Sequence, residues 1–181
     1  MAGRILVLGY GNVDRQDDGV AWHILNFIAK HFGLPAPDPT GESFSQSNPG
    51  MPTDASSDPS VGSLTGPFDL AFVLQLTPEI AETLANYAVV CFVDAHTGNV
   101  PQEVNFEEMQ AAYQASPFTH HLTPQTCLAL AQALYGHSPR GFLTSVHGYQ
   151  FGFTNELSEQ TKQLATTAGE QLIAWLHQLE A

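Results

Sequence analysis

The sequence predicts an α/β protein: a three-layer α/β/α sandwich on a mostly parallel, twisted sheet of about five strands, with helices on both faces. Three observations carry that expectation. Short apolar runs alternate with segments of helical periodicity along most of the chain. The best of those runs, "RILVLG" and "AVVCFVDA", are apolar throughout rather than at every second position, as strands covered on both faces are. Helix-starting and helix-ending residues stand where the pattern changes, and 181 residues suffice for one sizeable core, so residues 1–181 read as one domain.

Taken in order, "RILVLG" is a strand bounded by glycine, and Gly19 to Phe32 follows as a helix with Val20, Ile24, Phe27, Ile28 and Phe32 at helical spacing. Residues 34–67 are dominated by Pro, Ser, Gly, Asp and Thr and read as a flexible excursion within the domain, too polar to bury a core of its own. "FDLAFVLQ" is a second strand. "TPEIAETLANY" is a helix with Thr77 as N-cap and Pro78 in its first turn, and "AVVCFVDA" a buried strand. "EVNFEEM" adds an edge strand, and "TPQTCLALAQALYG" is a helix capped by Thr123, started by Pro124 and closed by Gly136. "GFLTSVHGYQFGF" supplies one or two late strands. Ser158 to Glu180 is a final helix that turns Thr161, Leu164, Ala168, Leu172, Leu176 and Leu179 to the core.

Five Lys and Arg against 18 Asp and Glu give a formal charge of −13, which would repel a polyphosphate backbone, so nucleic acid is not an expected partner. The chain has no apolar run of the roughly 18 residues that a membrane helix needs, and passes from Met1 into a strand without a secretory pattern; a cytoplasmic protein with no membrane partner is expected. Cys91 and Cys127, both in apolar contexts, are too few for a disulfide framework or a thiolate zinc site and read as buried thiols.

In such a sandwich the functional crevice lies beyond the carboxyl ends of the strands, and three places converge there. Gly9-Tyr10-Gly11 after the first strand begins like a dinucleotide loop, but the third glycine of GxGxxG is replaced by Asp14, and Asp17 and Asp18 put negative charge where a pyrophosphate would dock; no nucleotide is expected. Asp94 ends an apolar strand beside that loop, and two nearby carboxylates raise one another's proton affinity unless a cation lies between them. His120 and His121 precede a well-capped helix and offer imidazole, a ligand suited to nickel or zinc; spacing does not choose between them. His96 and His147 are further crevice candidates, and Glu79 completes a helix start. A GxSxG nucleophile elbow, an electropositive cysteine and an HExxH zinc motif are all absent from the sequence.

With these residues assembled, the chain resembles the nickel-iron hydrogenase maturation proteases. The family pattern is a strand followed by GxGN, a short spacer, an acidic pair and Gly, matched here by Gly9, Gly11, Asn12, Asp17, Asp18 and Gly19. An apolar strand ending in Asp-Ala matches Val93-Asp94-Ala95, and a His opening an apolar helix matches His121, with Pro124 three residues on. The resemblance spans residues 4–33 and 68–153. It implies a phosphorylase/hydrolase-like sandwich and an endopeptidase that removes the carboxyl-terminal extension of a [NiFe]-hydrogenase large-subunit precursor after nickel insertion. The implied nickel ligands and catalytic residues are Asp18, Asp94 and His121, with nickel supplied by the substrate. Asp17 would orient the helix start, while Gly9, Gly11 and Asn12 would shape the loop. "QLTPE", where many relatives have a glycine-rich loop, and the polar excursion before the second strand depart from the family pattern and bear on which precursor is recognised. A nickel-binding accessory protein without proteolytic activity is the alternative expectation.

Overall fold

The computed structural model describes residues 4–42, 68–114 and 122–180. Its five strands are β1 (Ile5–Tyr10), β2 (Phe68–Val73), β3 (Val89–His96), β4 (Val104–Met109) and β5 (Arg140–His147). Its α-helices are α1 (Val20–Phe32), α2 (Ile80–Leu84), α3 (Pro124–Tyr135) and α4 (Glu159–Glu180), with a kinked 3-10 segment, Val13–Gly19, ahead of α1. The strands form one sheet in the order β2-β1-β3-β5-β4. Only β4, at the edge, is antiparallel to its neighbour.

Alternation along each strand divides the core in two. Ile5 and Val7 of β1 and Cys91 and Val93 of β3 face α1 and α4, where they meet Ile24, Ile28, Ala168, Leu172 and Leu176. Leu6 and Leu8 with Val90 and Phe92 face α2 and α3, against Ile80, Leu84, Cys127 and Leu128. The apolar runs are continuous because both sides of each strand are buried. β4, at the edge, is less covered: Phe106, Glu107 and Glu108 along it are exposed. Both thiols lie in these cores, and burial pushes each up to about 12.

Local rules set most of the ends. Thr123 caps α3 with its Oγ1, which accepts from the Thr126 amide at 3.2 Å; Pro124 fills the first position, and Gly136, at φ 72°, ends the helix. The helix expected from Thr77 is much shorter. Ile80, Ala81 and Glu82 donate to the carbonyls three residues back, a tight turn that leaves only Ile80–Leu84 α-helical, and no side chain caps it. Only Ile80, Ala81 and Leu84 are buried there, so two more turns of helix would gain little burial. The late segment holds one strand, β5, and an irregular loop follows it.

Of the expected excursion, residues 43–67 lie outside the described residues. Residues 34–42 run against the body of the domain: the Trp22 indole N–H donates to the Pro37 carbonyl at 2.9 Å, and the Asp38 carboxylate accepts from the Thr40 amide and hydroxyl.

The chain passes from β1 through α1 to β2 on one side of β1, then returns through α2 to β3 on the other side. The carboxyl ends of β1 and β3 are therefore the topological switch point, where crevices open in sheets of this kind.

Candidate active site at the carboxyl ends of β1 and β3

The first loop is folded back on itself by the backbone of Gly11 and Asn12. Gly11 has φ 135°, and a Cβ there would lie 2.2 Å from the Asp18 carbonyl oxygen, so no side chain fits. The Asn12 amide donates to Asp18 Oδ2 at 3.0 Å, and its side-chain oxygen accepts from the Asp14 amide at 2.9 Å. The turn thus fixes the Asp18 carboxylate beside the end of β1. Gly9 lies beneath α1, where a Cβ would come within 2.8 Å of Leu25 and 3.2 Å of Ala21. Replacing Gly11 by Ala is expected to cost roughly 3 kcal/mol, from the clash and from backbone strain, in a urea denaturation series.

Asp94 is not the last residue of its strand. β1 pairs with β3 only as far as Gly9 opposite Val93, so Asp94 is the first β3 residue to clear β1, while on the other side it still pairs with Ser145 of β5. That stagger exposes it toward the first loop. Burial pushes the Asp94 carboxyl up to about 7, and the Asp18 charge adds to the rise; the Tyr10 hydroxyl and the Ala95 amide, 2.7 Å from Oδ1, act the other way. Tyr10, the end of β1, is itself raised well above its ordinary value, first by burial and then by the Asp94 charge. Asp18 and Asp94 are therefore brought within electrostatic reach of each other.

His120 and His121 lie outside the described residues. Leu122, the next residue, packs on the same side of the sheet as Tyr10, and α3 begins two positions later. Among the described residues, no group of three or more His, Cys, Asp or Glu side chains is arranged to hold a metal ion. The two acids by themselves suit a divalent cation, since a positive charge between them would remove the penalty that holds a proton on Asp94.

Asp17 has a different task from the one its position suggests. The N-cap of α1 is Gly19, with no side-chain hydrogen bond, and Asp17 is 0% exposed and turned toward the far end of the chain. Its Oδ2 accepts from the amides of Tyr149 and Gln150, both at 2.8 Å, and from the hydroxyls of Ser158 and Thr161, both at 2.7 Å; Oδ1 accepts from the Ser158 amide at 2.8 Å. Burial raises its pKa, but these donors outweigh burial and hold it below the usual carboxylate value. Asp17 thus binds the start of α4, rather than α1, to the first loop. Gln16 adds to this junction at φ 52°: its amide donates to the Thr154 carbonyl, and its side chain bonds Gln150 and the Gly152 amide.

His96 and His147 end β3 and β5 and stack on each other, ring centroids 5.3 Å apart, with Tyr149 stacked on His147 and its hydroxyl donating to Glu103. The Gly98 amide donates to His96 Nδ1, so that nitrogen carries no proton, and burial with the neighbouring His147 lowers the His96 pKa. This stack braces the loops after β3 and β5. Glu79 is exposed, and a hydrogen bond with Thr77 lowers its pKa.

Sequence reasoning missed the roles of Tyr10 and Gln16, and it placed Thr161 in the core and Ser158 at the start of the last helix without their bonds to Asp17. Tyr10 was within reach: it follows Leu6 and Leu8 at every second position, and so shares a face with Asp94.

No protein-family model matches the chain, and no curated protein matches it. Solved structures do. Hydrogenase maturating endopeptidase HybD from Escherichia coli is similar at 19% identity and a TM-score of 0.59, over 97% of this chain and 93% of that one. The [NiFe] hydrogenase maturation protease HycI from Thermococcus kodakarensis is similar at 18% identity and a TM-score of 0.57, over 98% and 93%. A further endopeptidase from Escherichia coli, known from its solution structure, is similar at 17% identity and a TM-score of 0.60, over 97% and 93%. The five-stranded, mostly parallel sheet and its flanking helices give this chain the fold of the [NiFe]-hydrogenase maturation proteases.

Proposed function

We propose that the protein is an endopeptidase of hydrogenase maturation that removes the carboxyl-terminal extension from a nickel-loaded [NiFe]-hydrogenase large-subunit precursor. The observation that carries this reading is the pair Asp18 and Asp94 at the switch point of a fold shared with maturation endopeptidases. Nickel belongs to the substrate. Asp18, Asp94 and His121 complete the coordination of an ion already held by the precursor, so an empty precursor is passed over and a loaded one is retained. A water molecule adds to the scissile carbonyl, and the peptide C–N bond breaks to give a new carboxylate and a free amine. The substrate's ion polarises that carbonyl or the water. The enzyme's residues orient the group: Asn12 fixes Asp18, and Tyr10 faces Asp94.

The test incubates purified protein with nickel-loaded and nickel-free precursor and follows loss of the extension by mass spectrometry. Cleavage of the loaded form alone is expected. Equal cleavage of both forms removes nickel as the recognition element, and cleavage of neither by folded protein that binds nickel tightly favours the accessory role.

A further inference from the structure

On the opposite side of the first loop from Asp94 lies a cleft of about 600 Å³, lined among others by Asn12, Asp14, Trp22, His23, Glu42 and Leu74. Its walls are built rather than incidental. Trp22 is held by its indole N–H on the Pro37 carbonyl. Gly41, at φ 70°, lets residues 40–42 press onto the end of β2, since a Cβ there would lie 2.8 Å from the Leu74 amide nitrogen. Leu74 is 51% exposed at the cleft, an apolar surface that the described residues leave uncovered. The charge is one-sided. Among the described residues, Asp14 and Glu42 carry the formal charges of the lining, and neither is ion-paired. His23 is half-buried, and burial lowers its pKa, so it adds no positive charge at neutral pH. Asn12 belongs to both places: its amide donates to Asp18, and the residue also lines the cleft.

We propose that this cleft seats an extended peptide segment in which a Lys or Arg is flanked by apolar residues, supplied by the precursor that the site processes. The proposal rests on the protease reading for the identity of the partner, but not for the binding itself. The cation lies between Asp14 and Glu42, with the Trp22 ring beside its aliphatic stem, and its apolar neighbour covers Leu74. A chain so placed runs along Asn12 toward Asp18, which sets its register against the two acids.

The test uses ¹⁵N-labelled protein and the capped peptides GALXLAGS, with X as Arg, Gln or Glu. The Arg peptide is expected to shift the amides of Asn12, Asp14, His23, Glu42 and Leu74, and to bind about tenfold more tightly than the Glu peptide, a preference that fades at high salt. Asp14→Asn with Glu42→Gln should remove most of that preference, while Leu74→Ser should weaken the Arg and Gln peptides alike. Equal shifts from all three peptides, or shifts at other amides, overturn the proposal; so does concentration-dependent movement of the same amides without peptide, which marks a second copy of the chain as the occupant. Peptide binding without precursor cleavage leaves the cleft standing and sinks the protease reading. Normal cleavage without these shifts does the reverse.

Discussion

Asp17→Ala is expected to lose about 3 to 5 kcal/mol of stability, which for a chain of this size lowers the melting temperature by about 10 °C. The substitution leaves five donors, two of them hydroxyls and three amides, facing a void in a fully buried position. Asp17→Asn keeps the volume but turns an NH₂ group toward either the Ser158 amide or the cluster on Oδ2, and should still cost about 2 kcal/mol. The pH dependence follows from the sign of the shift. The folded pKa lies below the unfolded one, so the unfolded chain takes up the proton first as pH falls. The Asp17 contribution is therefore complete above about pH 4 and is lost as pH drops through the folded value. Chemical denaturation of wild type and Asp17→Ala at pH 7 and pH 3 should show the gap closing at the lower pH. A pH-independent gap would mean that packing, not the carboxylate, holds this junction. Because the same carboxylate joins the first loop to the start of α4, the variant should also loosen Asp18, seen as faster exchange of the Asn12 amide.

The strands and most of the helices were legible because the rules behind them are local or periodic. β1 and β3 show unbroken apolar runs because both faces are covered, and α3 carries its cap, its proline and its terminal glycine within the segment itself. The position of Asp94 at the crevice was also readable, although β3 continues to His96 and it is the shorter pairing with β1 that uncovers it. Asp17 was not readable in the same way. An acidic residue just before a helix looks like an N-cap, and its true partners lie 132 to 144 residues further on, where no local pattern points back to them. The cleft escaped for a related reason: one wall comes from Pro39, Thr40 and Glu42, at the start of a stretch whose composition suggests a tether, and only the Trp22 and Gly41 contacts reveal that it is held. α2 fell short because propensity favoured a longer helix, while tertiary burial rewarded only Ile80, Ala81 and Leu84.

Asp94→Asn should produce a protein that is more stable than wild type above neutrality and inactive as a protease. The folded pKa of about 7 stands above the unfolded value of about 4, so the folded chain keeps a proton on Asp94 where the unfolded chain has released it. That linkage favours the native state fully below about pH 4, and the advantage is lost as pH rises to about 7. Above pH 7 the native protein holds a buried carboxylate beside Asp18, at a cost on the order of 4 kcal/mol relative to the neutral side chain. Asn is neutral throughout and can still accept from Tyr10. The two proteins should therefore have matching stability near pH 4 and diverge up to pH 8, with the variant higher. Cleavage of nickel-loaded precursor should fall at least about a hundredfold at every pH, because the lost charge is the one the substrate's ion would meet. Parallel stability curves would show that Asp94 carries no native-state penalty. A destabilised variant would make Asp94 a structural partner of Tyr10, and a stabilised variant with full activity would remove it from the site. Stability gained together with activity lost is the signature of a carboxylate kept strained until a cation arrives.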